Sequence, residues 1–268
     1  MADEFTWRYL ERVTESRPLR SYGRIKARAL KPRQADLVEA LLPHLALPAD
    51  EKIDLEALFA SPPQHGAEAG RVAEGNAGLL PERPPSQPVP APGDGYVLEI
   101  GFGGGEHLVG QAAAHPEQRF IGVEPFLNGV GSCLRHIEAR GVHNVRLHMG
   151  DARDVLARLA NASLDRVVIL FPDPWPKTRH WKRRLIQRAF IAELARVAKP
   201  GARVRFATDW RHYAAWTLEL FLKEPRFVWS AERADDWRLP WSDHITTRYQ
   251  EKRLGDCAPI FLEFARAG

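Results

Sequence analysis

Short apolar segments alternate with helical patterns from Tyr96 onward, and this alternation restricts the fold more than any other feature of the chain. Such a rhythm is typical of parallel strands joined by helices that cover both faces of a sheet. Two further apolar segments have no long helix between them, so we expect them to pair antiparallel at the sheet edge. The sequence predicts an α/β doubly wound sheet of about seven strands, with strands over 96–100, 119–124, 145–148, 165–171, 203–208, 226–231 and 259–265.

The chain ahead of the sheet divides into two segments. Residues 12–33 carry eight Lys or Arg and one acid, which is typical either of a solvated basic tail or of an arm that binds phosphates. Helical patterns follow over 34–42 and shortly before residue 60. Residues 61–95 contain eight Pro and six Gly and predict a flexible linker or insertion. We therefore expect a basic arm with helices over 1–60, this linker, and the sheet domain over 96–268.

Composition argues against several classes of protein. Cys133 and Cys257 are far apart and match no metal-ligand spacing, so we expect neither a disulfide scaffold nor a metal site. The acidic N-terminal residues do not resemble a signal peptide, and the apolar run 167–171 is far too short to cross a membrane. A net charge of +4 is weak evidence for a polyanionic partner. We expect a soluble cytoplasmic protein with no membrane partner and no obligate protein partner.

A glycine-rich loop over residues 99–106 follows the first predicted strand. Its glycines, Gly101 and Gly103 among them, allow a tight turn and let a ligand approach the main chain, and the next helix directs its N-terminus at the same place. A dinucleotide-binding loop would have glycine where this chain has Glu106, whose carboxylate would repel a diphosphate. This disfavours a nicotinamide dehydrogenase. Two interpretations of the loop remain: it binds a different ligand, or it is a turn that binds no ligand.

Acidic residues stand at the ends of the first three predicted strands. Glu99 precedes the glycine loop, and Glu124 ends the second strand, where an acid can accept hydrogen bonds from ribose hydroxyls. Asp151 follows the third strand, where a carboxylate can meet an adenine amine. Taken singly, each is more often a helix N-cap or a surface charge. Together they predict a pocket for S-adenosylmethionine, whose cationic sulfonium tolerates carboxylates.

The loop after the fourth predicted strand carries a candidate reactive group. Three prolines hold Asp173 on a stiff backbone, and Trp175 offers a face on which a base could stack. Residues 177–188 carry six Lys or Arg and no acid, which suits phosphates. The alternative is a rigid loop before an exposed basic helix, predicted over 181–199. Guanine N7 needs no deprotonation before it attacks a sulfonium methyl, and Asp173 would stabilise the positive charge that develops on the ring.

These motifs resemble the bacterial tRNA (guanine-N7-)-methyltransferase family. The resemblance covers residues 96–268 well and the basic N-terminal extension loosely, and it rests on 99–106, 122–124, 172–177, 179–184, 207–209 and 246–249. It implies a class I methyltransferase (Rossmann-like) fold, S-adenosylmethionine as cofactor and tRNA as substrate. It also implies that the methylated guanosine is the one at position 46, in the variable loop.

The resemblance also implies roles for single residues. The cofactor pocket would be formed by Glu99, Gly101, Gly103, Glu124, Asp151 and Asp173, with Asp173 also the active-site acid. The substrate would be contacted by Lys177, Asp209, Thr247, Arg248, Tyr249 and Gln250. The family usually has glutamate at the position of Gln250 and asparagine at that of Trp181. Gln250 therefore keeps one acceptor but loses the charge, and Trp181 is expected to add a stacking surface.

Two other functions remain open on the sequence. An amino-group methyltransferase acting on another nucleic acid or on protein has an acid or Asn before Pro-Pro-aromatic, whereas here Trp175 follows Asp173 and Pro174 directly. A non-catalytic tRNA-binding protein of the same fold would bind tRNA without methyl transfer. A methyl-transfer assay on tRNA, DNA and protein separates the three.

Overall fold

A single seven-stranded sheet forms the centre of the computed structural model, which describes residues 29–49, 52–60 and 95–268. The strands are β1 Tyr96–Ile100, β2 Arg119–Val123, β3 Val145–His148, β4 Leu164–Leu170, β5 Ala198–Thr208, β6 Phe227–Trp229 and β7 Ile260–Arg266. Their order in the sheet is β3-β2-β1-β4-β5-β7-β6. The strands β1 to β5 pair parallel, and β7 pairs antiparallel with both β5 and β6. The predicted doubly wound sheet with an antiparallel edge is confirmed.

Helices cover both faces of the sheet and create two apolar cores. They are α1 Pro32–Ala40, α2 Leu42–Leu45, α3 Leu55–Phe59, α4 Glu106–Ala114, α5 Leu127–Arg140, α6 Ala152–Arg158, α7 Arg188–Val197, α8 Arg211–Leu222, α9 Asp235–Arg238 and α10 Arg248–Glu251. In β1, Leu98 belongs to the core under α6, α7 and α8, whereas its neighbour Val97 belongs to the core under α4 and α5. Successive side chains of a strand point to opposite faces, so apolar residues throughout β1 serve both cores.

The helices that precede the sheet in sequence are part of these cores. Apolar side chains of α1 and α2, including Leu37 and Leu45, are buried in the core that contains α5. The Leu47 amide donates to the Leu147 carbonyl at 2.9 Å, which ties this segment to β3. The sequence predicts the first helix over 34–42, whereas α1 ends at Ala40 and begins at Pro32. Proline suits the first turn of a helix, because no amide donor is required there. Residues 12–28 of the basic arm and almost all of the predicted linker lie outside the described residues.

The helix predicted over 181–199 is wrong in its first part, and its last two residues belong to β5, which begins at Ala198 rather than at the predicted residue 203. A short 3-10 helix, Thr178–Arg183, ends before Arg184, and α7 begins only at Arg188. Arg184 and Gln187 have extended backbones, with ψ of 141° and 160°. The Gln187 side chain donates to the carbonyls of Trp181 and Arg184, while the Arg184 side chain turns inward and is 1% exposed. These tertiary contacts replace the helical hydrogen bonds that local propensity would favour.

An ion network joins the sheet to the segment before α10. Arg205 on β5 donates to Asp243 at 2.7 and 2.9 Å and to Glu263 on β7 at 2.7 Å. Arg166 on β4 also contacts Asp243, at 3.2 Å. Although burial acts to raise it, these two arginines hold the pKa of Asp243 below its ordinary value. The 241–250 segment is therefore fixed to the sheet by these charge pairs and by the packing of Trp241 and His244 on Phe261 of β7.

None of the helices described here is long and apolar enough to cross a membrane.

Replacing Arg205 with alanine should destabilise the fold strongly. The change leaves Glu263 and Asp243 with fewer cationic partners in a largely buried position, which costs roughly 3 kcal/mol. Denaturant unfolding monitored by tryptophan fluorescence measures this loss. Lys223→Ala is the matched control, because its pair with Glu219 is exposed and its loss should leave the free energy of unfolding nearly unchanged. Equal losses in the two variants would contradict the role given to the network.

Candidate active site

The glycine loop leaves β1 through three left-handed residues. Gly101, Gly103 and Gly105 have φ of 74°, 55° and 82°, a region that side chains other than glycine rarely occupy. A Cβ on Gly129 of α5 would lie 2.4 Å from the Gly103 carbonyl oxygen. Residue 129 must therefore be glycine for α5 to pack this closely against the loop. Gly101 and Gly103 are exposed. The loop thus presents bare main chain to a ligand at the carboxyl edge of the sheet.

Glu124 at the end of β2 is bound directly to the glycine loop. One carboxylate oxygen accepts from the Gly103 amide at 2.9 Å and the other from the Phe126 amide at 3.0 Å. Burial raises the pKa of Glu124 to about 7, while the two amides act to lower it and nearby Asp173 acts to raise it. Asp173 is therefore near enough to influence the charge of Glu124, and the contact of either residue with a cofactor stays a prediction.

Glu99 and Asp151 have protein partners that the sequence analysis missed or left open. The Glu99 carboxylate lies 2.7 Å from Nδ1 of His107, and both side chains are buried. Asp151 caps α6 by accepting from the Arg153 amide at 2.9 Å and pairs with the Arg153 guanidinium at 2.8 Å. Asp151 is thus a helix N-cap. Its contact with a cofactor stays a prediction, as does that of Glu99.

The loop between β4 and the 3-10 helix is strained on both sides of Asp173. Phe171 and Trp175 have φ of 49° and 43°, although neither is glycine. Each left-handed residue of this kind costs about 1–2 kcal/mol. Backbone strain of this size concentrates at functional sites, where surrounding contacts hold it. Asp173 is exposed at the tip of this loop.

Trp175 is already in contact with neighbouring side chains. The Arg183 guanidinium lies 5.0 Å from its ring centroid, and the His180 ring meets it edge-on at 5.7 Å. Lys177, two residues after Trp175, is exposed. This arrangement places one cation, Arg183, on the Trp175 ring two residues after Asp173. Base stacking by Trp175 remains a prediction.

The predicted substrate segment lies against the glycine-loop helix. Arg248 pairs with Glu106 in the first turn of α4 at 2.8 Å, and Tyr249 packs on Phe171 with ring centroids 5.7 Å apart. Thr247 caps α10 by accepting from the Gln250 amide at 3.3 Å. This segment thus connects the loop after β1 to the loop after β4. The sequence alone offers no signal for the pairing of Arg248 with Glu106.

Gln250 and Asp209 are both engaged within the protein. Nε2 of His244 lies 2.7 Å from the Gln250 side-chain oxygen. Since that oxygen can only accept, His244 carries its proton on Nε2. Asp209 is 3% exposed and accepts from the Gly255 amide at 2.8 Å, while its other oxygen is buried without a partner among the described residues. Asp209 therefore holds the 253–257 loop, and its contact with substrate stays a prediction.

The described residues contain no group of His, Cys, Asp and Glu side chains that could hold a metal ion. They do place exposed glycine main chain beside the buried carboxylate of Glu124. This arrangement suits a ligand with hydroxyl donors and a positive charge, because carboxylates accept hydrogen bonds and attract cations. The residues fit an adenosyl sulfonium better than a diphosphate.

The pH dependence of stability should reveal Glu124. Folded Glu124 keeps its proton between its ordinary pKa of 4.5 and about 7, whereas the unfolded chain has released it, so the free energy of unfolding falls as pH rises through this interval. A shift of this size corresponds to ~3 kcal/mol. Urea unfolding of wild type and Glu124→Gln over this pH range measures it. The advantage of wild type over the variant should shrink as pH rises.

Glu56→Gln is the control, since Glu56 is an exposed carboxylate on α3. It replaces a carboxylate that is not buried, so it measures the effect of the substitution itself. A stability difference that does not change with pH in Glu124→Gln would contradict the raised pKa.

Comparison with known proteins identifies the family. A family model described as a putative methyltransferase matches residues 94–259. The tRNA (guanine-N(7)-)-methyltransferase of Caulobacter vibrioides is 50% identical over 249 residues, covering 93% of this chain and 96% of its relative. The protein of the same name from Hyphomonas neptunium is 43% identical over 247 residues, covering 92% and 99%.

Solved structures overlap less closely. The 16S rRNA (adenine(1408)-N(1))-methyltransferase from Catenulisporales acidiphilia is 22% identical, with a TM-score of 0.47 over 66% of this chain and 89% of that one. The fold assignment accordingly depends on the strand order, and the family assignment on the sequence relatives. Because it shares half of its residues with such a relative over nearly the whole length of both, this chain belongs to the tRNA (guanine-N(7)-)-methyltransferase family.

Proposed function

We propose that this protein transfers a methyl group from S-adenosylmethionine to N7 of the guanosine at position 46 of tRNA, giving 7-methylguanosine. The observation that supports the proposal is that a candidate cofactor site and a candidate tRNA site lie at the same edge of the sheet. The glycine loop with Glu124 lies on one side, and the strained loop with Asp173 and its basic neighbours lies on the other. The names of the relatives support the choice of tRNA and of N7.

The loops after β1, β2 and β3 would hold the cofactor. Exposed main chain at Gly101 and Gly103 would let it approach the backbone, and the carboxylates of Glu124 and Asp151 would accept from its hydroxyls and amine. The buried Glu99 and His107 pair supports the loop from below. S-adenosylmethionine supplies an electrophilic methyl group when bound.

The chemical step requires alignment more than proton transfer. The N7 lone pair forms the new N–C bond while the C–S bond breaks and its electron pair returns to sulfur, so no base has to remove a proton first. Asp173 offsets the positive charge that develops on the guanine ring, and a fixed charge of this kind needs no reorganisation during reaction. The rigid, strained loop keeps Asp173 in place while tRNA binds.

The basic cluster positions the tRNA. Lys177, Arg179, Lys182 and Arg183 follow Asp173 closely. Desolvation lowers the pKa of His180 most, and these four cations lower it further. Contacts from such groups to phosphates supply affinity and register without reading the base. Counterion release then makes tRNA binding depend steeply on salt.

The product identifies the reaction. Purified protein, labelled S-adenosylmethionine and unmodified tRNA transcript should yield label in 7-methylguanosine after digestion to nucleosides. A transcript with adenosine at position 46 is the matched control and should receive no label. Label on an exocyclic amine would instead support an amino-group methyltransferase. Tight tRNA binding without transfer would support a binding protein.

Asp173→Asn and Lys177→Ala should separate chemistry from binding. Asp173→Asn keeps the size of the side chain but loses its charge, so the single-turnover rate at saturating tRNA should fall on the order of a hundredfold with tRNA affinity nearly unchanged. Lys177→Ala should mainly weaken tRNA binding and reduce the salt dependence of that binding by about one counterion.

Lys199→Ala is the control for both variants, because Lys199 pairs with Asp165 at the opposite end of β4. It should leave the rate and the tRNA affinity unchanged. Near-normal single-turnover rates in Asp173→Asn would show that Asp173 only supports its loop.

A further inference from the structure

Arg184 is a fully buried cation that no step above uses. Its side chain is 1% exposed and follows the 3-10 helix of the basic cluster. Its Nε donates to the Pro174 carbonyl at 2.8 Å, and Nη1 lies 3.0 Å from Nδ1 of His212. Arginine has no acceptor, so Nδ1 of His212 accepts this hydrogen bond and His212 carries its proton on Nε2. Arg184 therefore joins the loop after β4 to the first turn of α8.

Aromatic rings surround the same guanidinium. Its central carbon lies 4.8 Å from the Tyr213 ring, 5.1 Å from Trp181 and 5.3 Å from Trp216. Ring faces attract a cation and offset part of the loss of water around it. The expected stacking surface of Trp181 is thus used within the protein, since its ring also packs on His212 at 4.3 Å.

The segment that Arg184 holds is the strained one. Phe171 and Trp175 have positive φ, and Asp173 lies between them. Proline has no amide donor, so the three prolines at 172, 174 and 176 cannot fix the loop by main-chain donation. The Phe171 amide bonds to the Ala207 carbonyl at 2.8 Å, which fixes the start of the loop. The bond from Arg184 to the Pro174 carbonyl fixes its middle, one residue beyond Asp173.

We propose that Arg184 is a positioning residue for methyl transfer, which holds the strained turn at Pro174 so that Asp173 and Trp175 meet the guanine in a fixed arrangement. Through His212 it also fixes the start of α8, two residues after Trp210 and three after Asp209. Arg184 thus sets the spacing between the loops after β4 and β5. This inference rests on the proposed function.

Arg184→Lys tests the inference. Lysine keeps the charge, but its single nitrogen cannot reproduce the fixed spacing of the two guanidinium nitrogens that donate to Pro174 and His212. The single-turnover rate should fall at least about tenfold, because small misplacements of a reacting group have effects of this size. The dissociation constant for S-adenosylmethionine should stay within about twofold of wild type. Amide exchange at Trp175 and Lys177 should accelerate, with exchange in β1 and β4 unchanged.

Arg140→Lys is the matched control, since Arg140 is exposed in the last turn of α5 and should change none of these quantities. A normal rate and normal loop exchange in Arg184→Lys would overturn the inference. So would a rate loss accompanied by equal loss of cofactor affinity and faster exchange throughout the sheet, because that result indicates general unfolding.

His212 provides a second test that keeps Arg184 in place. His212→Phe preserves a ring against Trp181 but removes the acceptor, whereas His212→Gln supplies an acceptor. The rate and loop exchange should be altered in the phenylalanine variant and largely restored in the glutamine variant. Equal behaviour of the two would overturn the inference. If wild type proves inactive on tRNA, the proposed function fails, and loop exchange in these variants still decides whether Arg184 fixes the turn.

Discussion

Five neighbouring strands, β3, β2, β1, β4 and β5, run in the same direction, and this determines where the loops of the site can lie. The carboxyl ends of parallel strands share one edge, so the loops that follow them leave the sheet side by side. Glu124, Asp173 and Asp209 are distant in sequence, yet each follows one of these strands. The common direction of the strands is sufficient to bring these three residues to the same edge of the sheet.

A dense group of acids at one edge requires partners for the buried charges. Glu99 has His107, Glu124 has two backbone amides, and Asp151 has Arg153. On the other side of the edge, the buried Arg184 has a carbonyl, a neutral histidine and aromatic rings. Buried charges with fixed partners rigidify their surroundings, whereas unpaired ones are costly. The edge is therefore organised by the protein's own contacts.

The sequence predicts the strands and the glycine loop well because both depend on local pattern. Apolar runs mark β1 and β3 to the residue, and the left-handed turns need glycines that are visible in the sequence. The interruption of the helix before α7 is not visible in the sequence, since residues 181–187 contain no proline or glycine. Its cause is the Arg184 side chain, which turns into the protein interior. His107 and His244 were missed for the same reason, and Arg184 was counted among the phosphate-binding cations although its side chain is buried. Their importance comes from contacts with groups that only the fold brings together.

The place of β7 in the sheet has a consequence for how the protein is made. β7 follows β6 in the chain but lies between β5 and β6, so β6 has no partner in the sheet until β7 exists. The 51 residues 209–259 separate β5 from β7, and at ribosomal speeds they take roughly 3–10 seconds to synthesise. During that interval the outer edge of β5 is unpaired, and an unpaired edge is a template for association with other chains. Arg205 also lacks Glu263 until β7 arrives. Crowding of nascent chains on a polysome is thus a hazard specific to this topology, and slower translation of the segment before β7 would lengthen it.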